Sequence, residues 1–356
     1  MNLNMISPLN QLGYGITGIN LVKTLHSKCN LSLFPIKPIQ IVTQQDADII
    51  KQCIINSQKF DKDAACLKIW HQHDMAEFVG KGKHIGFTFF ELDTFNESEK
   101  HHLNSLDKLF VTSEWAKKIC ENQLSLSEEN ICVIPLGVDL SIFQPSFVPN
   151  EQKTVFFNCG KWEVRKGHDI LYKVFNKAFT QDDEVELWMM CDNPFLNEKQ
   201  TKEWHDLYKK SVLGDKIKLI PRVGTPSEVY NIMCQTDCGV FPSRAEGWNL
   251  ELLEMMACGK KVIATNYSAH TEFCNSENCL LVDTEEREPA FDGMWFNGSG
   301  NWASITEKQE DQLCEYMQQI HKEKQQNKTL EINTSGILTA QVHDWNIISE
   351  KILQNV

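Results

Sequence analysis

A cluster of positive charge lies near the middle of the chain. Lys161, Arg165 and Lys166 fall within six residues, after a predicted strand at 154–158 and before a predicted helix at 169–179. Cations at the start of a helix suit an anionic group such as a diphosphate, because the helix dipole adds to the attraction. A solvated charged turn is the alternative when the loop is taken alone. As a loop residue, Lys166 is expected to be exposed and to contribute little to stability.

Two glutamates eight residues apart form a second candidate. Glu246 lies in a loop after the apolar segment 237–241, and Glu254 lies about one turn into a predicted helix at 250–258, which stops at Gly259. Carboxylates accept hydrogen bonds from vicinal hydroxyls, so the pair could line a site for sugar or ribose. Glutamates on a helical surface are more often simply solvated, and that alternative stays open.

Arginine usage adds Arg244 to the candidates. The chain has only four arginines, and none lies before residue 150. Three of them, Arg165, Arg222 and Arg244, follow or lie in predicted strand-end loops of the second half. The planar fork of arginine suits phosphate better than the point charge of lysine.

Three glycines, Gly13, Gly15 and Gly18, follow the first apolar segment and open a predicted helix. Glycine lets backbone amides approach an anion at a helix start. Glycine-rich turns also serve plain packing, and the pattern alone does not separate the two.

Two patterns imitate metal sites. Asp61 and Asp63 lie in a polar turn rather than after an apolar strand, which disfavours a metal-binding pair. His71 and His73 are predicted to share one strand face, where a polar cluster at a strand end is favoured over a metal pair. We therefore expect no metal site and no cofactor.

These residues need a framework, and the 356 residues are enough for two domains. Short apolar segments alternate with segments of helical periodicity on both sides of a break at 140–150, which contains Pro145 and Pro149. The alternation predicts an α/β fold with parallel sheets covered on both faces. The strands are predicted at 3–6, 67–70, 84–90, 108–111, 131–135, 154–157, 185–191, 216–220, 237–241, 261–264 and 280–282. The first domain is predicted at 1–145.

Charge and cysteine content exclude some classes of protein. The net charge of −13 disfavours a surface that coats nucleic acid or membrane. Thirteen cysteines without a Cys-x-x-Cys pair indicate scattered reduced thiols, hence a cytoplasmic protein. The sequence contains no stretch of ~18 apolar residues, so we expect no membrane span and no stable membrane insertion.

Residues 154–283 resemble the retaining glycosyltransferases of family four, which have the GT-B fold. That family shows Gly-Arg-Leu, three variable residues and Lys-Gly, and this chain matches at 160–162 and 166–167, with Lys161 in place of arginine. The family then shows Glu-Gly-Phe-Gly-Leu and a second glutamate eight residues after the first. Residues 246–250 and Glu254 are similar.

The first half resembles the family more loosely. The similar segments are the glycine loop at 13–15, two subgroup signatures at 86–93 and 111–115, and the linker entry at 135–139. The segment around Trp345, near the end of the chain, is similar to the last helix of the family. The resemblance implies two Rossmann-like domains that face a central cleft. It implies a nucleotide-sugar-binding domain at 151–334 and a C-terminal helix, at 335–356, that packs back on the first domain.

The resemblance also implies roles for individual residues. Lys166 would contact the donor diphosphate, with Lys161 or Arg165 beside it; Arg165 would restore the fork that Lys161 lacks. Glu246 would hold sugar hydroxyls, and Glu254 the donor ribose. The donor-binding residues are Gly160, Glu254, Gly247, Trp248, Asn249, Leu250, Arg244 and Gly15. Asn249 replaces a usual glycine and would narrow donor choice. Glu91 and His71 are the acceptor-side candidates.

The function that this resemblance implies is metal-independent, retaining transfer of a sugar from a nucleotide sugar such as a UDP- or GDP-sugar. The acceptor would be carbohydrate, lipid-linked or protein. A nucleic-acid base is less favoured, because the first half is acidic and lacks arginine. Two alternatives remain. One is another nucleotide-sugar enzyme on the same fold, an epimerase or a phosphorylase; the other is a non-catalytic carbohydrate- or partner-binding module.

Overall fold

A computed structural model describes residues 1–146 and 153–356, which form two compact units. Unit 1 comprises Met1–Asp139 together with Val342–Val356, and unit 2 comprises Leu140–Gln341. The predicted break at 140–150 lies partly outside the described residues, since residues 147–152 are not among them.

Unit 1 is built on a parallel sheet of six strands in the order β2-β1-β3-β4-β5-β6. Its strands are β1 (Asn2–Pro8), β2 (Asn30–Ile36), β3 (Cys66–Ile69), β4 (His84–Phe87), β5 (Lys108–Val111) and β6 (Ile131–Val133). Its helices are α1 (Gly13–Leu25), α2 (Gln44–Asn56), α3 (Glu97–Asn104) and α4 (Glu114–Gln123). Side chains such as Leu3, Leu67 and Phe110 are fully buried, as expected for a parallel sheet covered on both faces.

Unit 2 repeats this plan with a parallel sheet in the order β12-β11-β10-β7-β8-β9. Its strands are β7 (Thr154–Gly160), β8 (Val185–Cys191), β9 (Ile217–Leu219), β10 (Cys238–Phe241), β11 (Lys261–Thr265) and β12 (Leu280–Val282). Its helices are α5 (His168–Ala178), α6 (Glu198–Lys209), α7 (Pro226–Cys234), α8 (Leu250–Ala257), α9 (His270–Phe273), α10 (Glu307–Asn327) and α11 (Thr334–Val342). The predicted pair of α/β, Rossmann-like units is confirmed.

An antiparallel hairpin follows β12 in unit 2. It consists of β13 (Arg287–Phe291) and β14 (Asn297–Ala303). Neither strand was predicted, because their polar and glycine-containing sequences lack apolar alternation. Strand β2 was not predicted either.

The last helix, α12 (Trp345–Asn355), belongs to unit 1 and packs against α1. Gly137 explains how closely the chain approaches this helix. A Cβ atom at Gly137 would lie 2.7 Å from the Trp345 ring and 2.9 Å from the His343 carbonyl oxygen. A larger residue would therefore separate α12 from the rest of unit 1.

The thirteen cysteines are unpaired thiols, and most are buried in the cores of the two units. Among the described helices, none combines the length and the apolar character that a bilayer-spanning segment needs.

Candidate functional site

The cationic loop and the Glu246 loop meet at one edge of the unit 2 sheet. Strands β7 and β10 are parallel neighbours, so the loops that follow them leave from the same edge. The Arg244 amide donates to the Arg165 carbonyl oxygen across 2.7 Å and joins the two loops directly. Two segments about 80 residues apart in sequence thus form one site.

Gly167 allows the two loops to approach so closely. It caps α5 with a left-handed φ of 73°, and a Cβ atom there would lie 2.2 Å from the Pro242 carbonyl oxygen. No other residue type fits without a shift of the backbone. The family-like glycine at this position therefore has a steric reason.

Glu246 is the centre of the site. Its Oε1 accepts from Lys166 Nζ at 3.0 Å and from Ser243 Oγ at 2.8 Å. Its Oε2 accepts from Arg165 Nη1 at 2.6 Å. The Glu246 amide donates to Ser268 Oγ at 2.8 Å, which fixes the backbone as well.

Burial and charge set the ionisation of this cluster. Burial of Glu246 disfavours its charged form, but Arg165 and Lys166 more than compensate and hold the pKa of the carboxyl well below its ordinary value. Burial would likewise lower the pKa of Lys166, but the Glu246 carboxylate raises it above its ordinary value. Glu246 is therefore an anion and Lys166 a cation across the neutral pH range.

The structure contradicts the expectation that Lys166 is an exposed loop residue. Its side chain is only 10% exposed. It lies against Gly160, where an added Cβ atom would meet Lys166 Cδ, Cε and Nζ at 3.1–3.3 Å. Gly160 also has a φ of 140°, which favours glycine. Its missing side chain leaves room for the side chain of Lys166.

Arg165 is held by carboxylates and carbonyls of its own unit. Its Nε and Nη2 donate to Glu163 Oε2 at 3.1 and 2.7 Å, and Nη1 also donates to the Ala245 carbonyl oxygen at 2.7 Å. Lys161 is more exposed and forms an ion pair with Glu163 Oε1 at 2.7 Å. Glu163 therefore orders both cations, a role that no motif in the sequence indicated.

Arg244 anchors the rim of the site. Its guanidinium donates from Nη1 and Nη2 to Asp169 at 2.7 and 2.9 Å, and from Nη1 to the Val164 carbonyl oxygen at 2.6 Å. Its Nε donates to Glu288 in β13 at 3.1 Å. Arg244 thus ties the start of α5 to the hairpin.

Asn249 holds the start of α8 in an unusual conformation. It has a left-handed φ of 92°, which only glycine adopts without cost. Its Oδ1 accepts from the Leu252 amide at 3.1 Å, and its Nδ2 lies 2.9 Å from Nε2 of the buried His270. Both ends of the amide are therefore used within unit 2.

The other donor-side candidates lie on or next to α8. Gly247 and Trp248 are buried, and the Trp248 ring lies 4.7 Å from the Phe273 ring. Leu250 begins the helix, and Glu254 lies one turn further along it, half-buried. These residues share the loop and helix that carry Glu246.

Gly15 lies in unit 1, in the first turn of α1. An added Cβ atom would meet the side chain and backbone of Asn10 at 2.3–2.4 Å. A close packing contact therefore accounts for glycine at this position.

The two acceptor-side candidates of unit 1 both lie near Tyr14. The His71 ring lies 4.4 Å from the Tyr14 ring and 5.3 Å from the His73 ring. Glu91 acts electrostatically on the Tyr14 hydroxyl, whose pKa is raised mainly by burial. Since β3 ends at Ile69, the two histidines follow the strand instead of sharing one of its faces.

The metal-like patterns have local partners. Asp61 accepts from the Asn2 side chain at 2.7 Å and from the Asp63 amide at 3.0 Å, an ordinary turn. Within residues 1–146 and 153–356, no three His, Cys, Asp or Glu side chains are grouped to hold a metal ion.

Residues 153–293 match the family described as glycosyl transferases group 1, which confirms a resemblance to group 1 glycosyltransferases over that segment. The chain is 26% identical over 190 residues to the phosphatidylinositol N-acetylglucosaminyltransferase GPI3 subunit of Saccharomyces cerevisiae, covering 51% of this chain and 40% of that protein. It is 27% identical over 164 residues to D-inositol 3-phosphate glycosyltransferase of Arthrobacter, covering 44% and 38%. The match thus spans about 40% of the length of these relatives.

Solved structures match almost the whole chain. HepE of Anabaena, in complex with UDP and glucose, has a TM-score of 0.72 at 16% identity and is covered over 99% of both chains. Sucrose-phosphate synthase from Thermosynechococcus elongatus has a TM-score of 0.70 at 15% identity, covering 99% of this chain and 97% of that one. These likenesses confirm the predicted GT-B fold.

Proposed function

We propose that this chain is a retaining glycosyltransferase that transfers a sugar from a nucleotide-diphosphate donor without a metal ion. The observation that carries the proposal is the buried cluster in which Arg165 and Lys166 converge on Glu246. The match of residues 153–293 to glycosyl transferases group 1 supports the reaction class. The solved structures of HepE with UDP and with UDP-glucose support a UDP-sugar as donor.

Lys166 has the proposed role of stabilising the leaving diphosphate. An ammonium has three N–H donors, so it can donate to a phosphate oxygen and keep its bond to Glu246. Its raised pKa keeps it charged while negative charge grows on the departing oxygen. Lys161, the most exposed cation of the loop, is the second proposed phosphate contact.

Arg165 supports these contacts instead of adding a third, because Glu163 and Glu246 already engage its guanidinium. Glu246 is proposed to orient Lys166 and to accept from donor sugar hydroxyls. Glu254 is proposed to accept from the ribose hydroxyls, since it lies one turn into α8 on the same element. Asn249 is proposed to hold the first turn of that helix in position.

The proposed chemistry balances without a dedicated base. The bond between the anomeric carbon and the diphosphate oxygen breaks, and the acceptor hydroxyl oxygen attacks the same face of that carbon. Its proton passes to the leaving phosphate oxygen, so the product keeps the anomeric configuration of the donor. The acceptor-side roles of His71 and Glu91 remain proposals for binding only.

A thermal-shift panel of UDP-glucose, UDP-N-acetylglucosamine and GDP-mannose tests the donor class. A donor present at 100 times its dissociation constant should add ~2.7 kcal/mol to the free energy of unfolding. Release of the nucleoside diphosphate, measured with and without EDTA, then tests catalysis. Neither stabilisation nor release with any donor would contradict the transferase proposal and favour a non-catalytic module.

Two analyses of the product test the anomeric configuration and the epimerase alternative. Proton NMR of fresh product should give the anomer of the donor; the inverted anomer would remove the retaining assignment. An isomerised nucleotide sugar without transfer would indicate an epimerase. Reversible loss of turnover in EDTA would contradict metal independence.

We also propose a cytoplasmic location, which the unpaired thiols support.

A further inference from the structure

The β13–β14 hairpin presents apolar side chains at its turn. Phe291, Met294 and Trp295 are 63%, 45% and 52% exposed. The turn between them is ordered by Asp292, whose Oδ1 accepts from the amides of Met294, Trp295 and Phe296 at 2.7–2.9 Å. The backbone that carries these side chains is therefore ordered by hydrogen bonds to the Asp292 carboxylate.

Trp295 meets a second exposed ring from another part of unit 2. The rings of Trp295 and Phe195 lie 5.6 Å apart at an angle of 73°. Phe195, in the loop after β8, is 55% exposed. Two half-exposed rings at nearly a right angle form an open aromatic corner, which we call the Trp295–Phe195 corner.

The corner adjoins the proposed donor site. Lys161 Nζ lies 5.8 Å from the centre of the Phe195 ring, within cation–π range. The base of the hairpin is bonded to the same site, because the Ala303 amide donates to the Arg244 carbonyl oxygen at 2.9 Å. Glu288 accepts from both Arg244 Nε and Trp302 Nε1 at 3.1 and 3.0 Å. The hairpin thus reaches from Arg244 to the neighbourhood of Lys161.

The charge of the hairpin indicates what kind of molecule could occupy the corner. The hairpin itself contains two carboxylates and one arginine, and two further glutamates, at 285 and 286, directly precede it. A segment of net negative charge repels anionic phospholipid headgroups and nucleic acid. Its remaining polar side chains include the neutral Asn297, Ser299 and Asn301. A neutral saccharide fits this chemistry, because its C–H faces pack on aromatic rings and its hydroxyls bond with amides and hydroxyls.

We propose that the Trp295–Phe195 corner binds a neutral oligosaccharide and that this oligosaccharide is the acceptor of the transfer reaction. The first statement rests on the corner itself, and the second rests on the proposed function. The corner would hold the acceptor chain beside the loop that carries Lys161, which raises its local concentration next to the donor.

Binding without any donor tests the subsite alone. The protein is applied to an array of neutral and acidic oligosaccharides, and the neutral oligosaccharide with the strongest signal is titrated calorimetrically into four variants. Trp295→Ala and Phe195→Ala should each weaken its affinity about tenfold, and Trp295→Phe should recover part of the loss. Val212→Ala is the control, because Val212 is 79% exposed elsewhere in unit 2 and should bind as wild type.

Several results would overturn the subsite. These are no binding of neutral oligosaccharides, unchanged affinity in both alanine variants, or stronger binding to phosphatidylserine vesicles that Trp295→Ala abolishes. Conversion of a dimer to a monomer by Trp295→Ala, seen by light scattering, would assign the corner to a second copy of the chain. Oligosaccharide binding by a wild-type protein that never releases nucleoside diphosphate would keep the subsite and reject the transferase proposal.

Discussion

Lys166 Nζ donates to Glu246 Oε1 across 3.0 Å, and the two side chains are 10% and 6% exposed. Removing one partner of a buried ion pair leaves the other charge poorly compensated. Substitution of Lys166 should therefore affect stability as well as catalysis. The two effects have to be separated by experiment.

Lys166→Ala should lower turnover ~10²–10³-fold, because one charge-stabilising donor is lost at the leaving group. It should also lower the free energy of unfolding by about 1–3 kcal/mol, since a buried acceptor loses a partner while Arg165 remains bonded to Glu246. Steady-state kinetics and chemical denaturation measure the two changes. Lys166→Arg should recover only part of the turnover.

The double variant Lys166→Ala/Glu246→Gln is the control for stability. Neutralising the carboxylate that has lost its lysine should restore part of the unfolding free energy and leave turnover low. Near-normal turnover in a folded Lys166→Ala protein would mean that this lysine has only a structural role.

A buried histidine gives the site a pH-dependent stability. His168 begins α5, its Nε2 lies 2.9 Å from Asn158 Oδ1, and its Nδ1 accepts from the Glu163 amide at 3.3 Å. Burial, assisted by the charge of Lys166, lowers the pKa of His168 from 6.5 to about 3. Between these values the unfolded chain binds one more proton at this group than the folded protein does.

The contribution of His168 to the free energy of unfolding should accordingly be constant above pH 6.5. It should fall as the pH drops toward 3, by at most about 1.4 kcal/mol per pH unit. His168→Gln should remove this contribution to the slope. Urea denaturation between pH 4 and 8 measures it, with His101→Gln as the control, because His101 is exposed. Identical slopes in wild type and His168→Gln would contradict the lowered pKa.

Glu254→Gln tests the proposed ribose contact. The substitution keeps size and hydrogen bonding but removes the charge, so it should raise the KM for the donor about tenfold and change kcat much less. Glu315→Gln, on the exposed face of α10, is the matched control. A large fall in kcat with an unchanged KM would instead assign Glu254 to the transition state.

Apolar continuity made much of the fold predictable. The strands at Lys108–Val111 and Val185–Cys191 have the predicted bounds, because all residues but one in each strand are buried by the layers of a parallel sheet. Strand β13 contains Pro289 directly after two charged residues, and β14 begins with alternating polar residues and glycines. The two strands pair with each other, and the base of the hairpin bonds to Arg244; periodicity reveals neither contact.

The candidate site was predictable in its residues but not in its contacts. Charge density and the family-like spacing identified Lys166 and Glu246. Their ion pair depends on β7 and β10 being neighbours, which a linear pattern does not encode. The roles of Glu163 and His270 emerge only in three dimensions, because each is one polar residue among several with no spacing signal of its own.

Two glycines with the same backbone conformation allow a matched test of the loop contact. Gly167 and Gly293 have φ values of 73° and 75°, so alanine is strained at either position by about 1 kcal/mol. An added Cβ atom at Gly167 would lie 2.2 Å from the Pro242 carbonyl oxygen, whereas one at Gly293 meets nothing within 4 Å. Any further loss in Gly167→Ala therefore measures the close approach of the two loops.

Gly167→Ala should lose about 1–3 kcal/mol more unfolding free energy than Gly293→Ala, the usual range for forcing extra atoms into a packed region. Its turnover should fall as well, because separating the loops pulls Lys166 away from Glu246. Gly293→Ala should keep its rate of nucleoside-diphosphate release in the absence of acceptor, since an added Cβ atom there meets nothing within 4 Å. Denaturation curves measure the stability of the two variants, and the rate of nucleoside-diphosphate release measures their turnover. Equal stability and equal turnover would mean that the loops adjust freely and that the geometry around Glu246 does not depend on their contact.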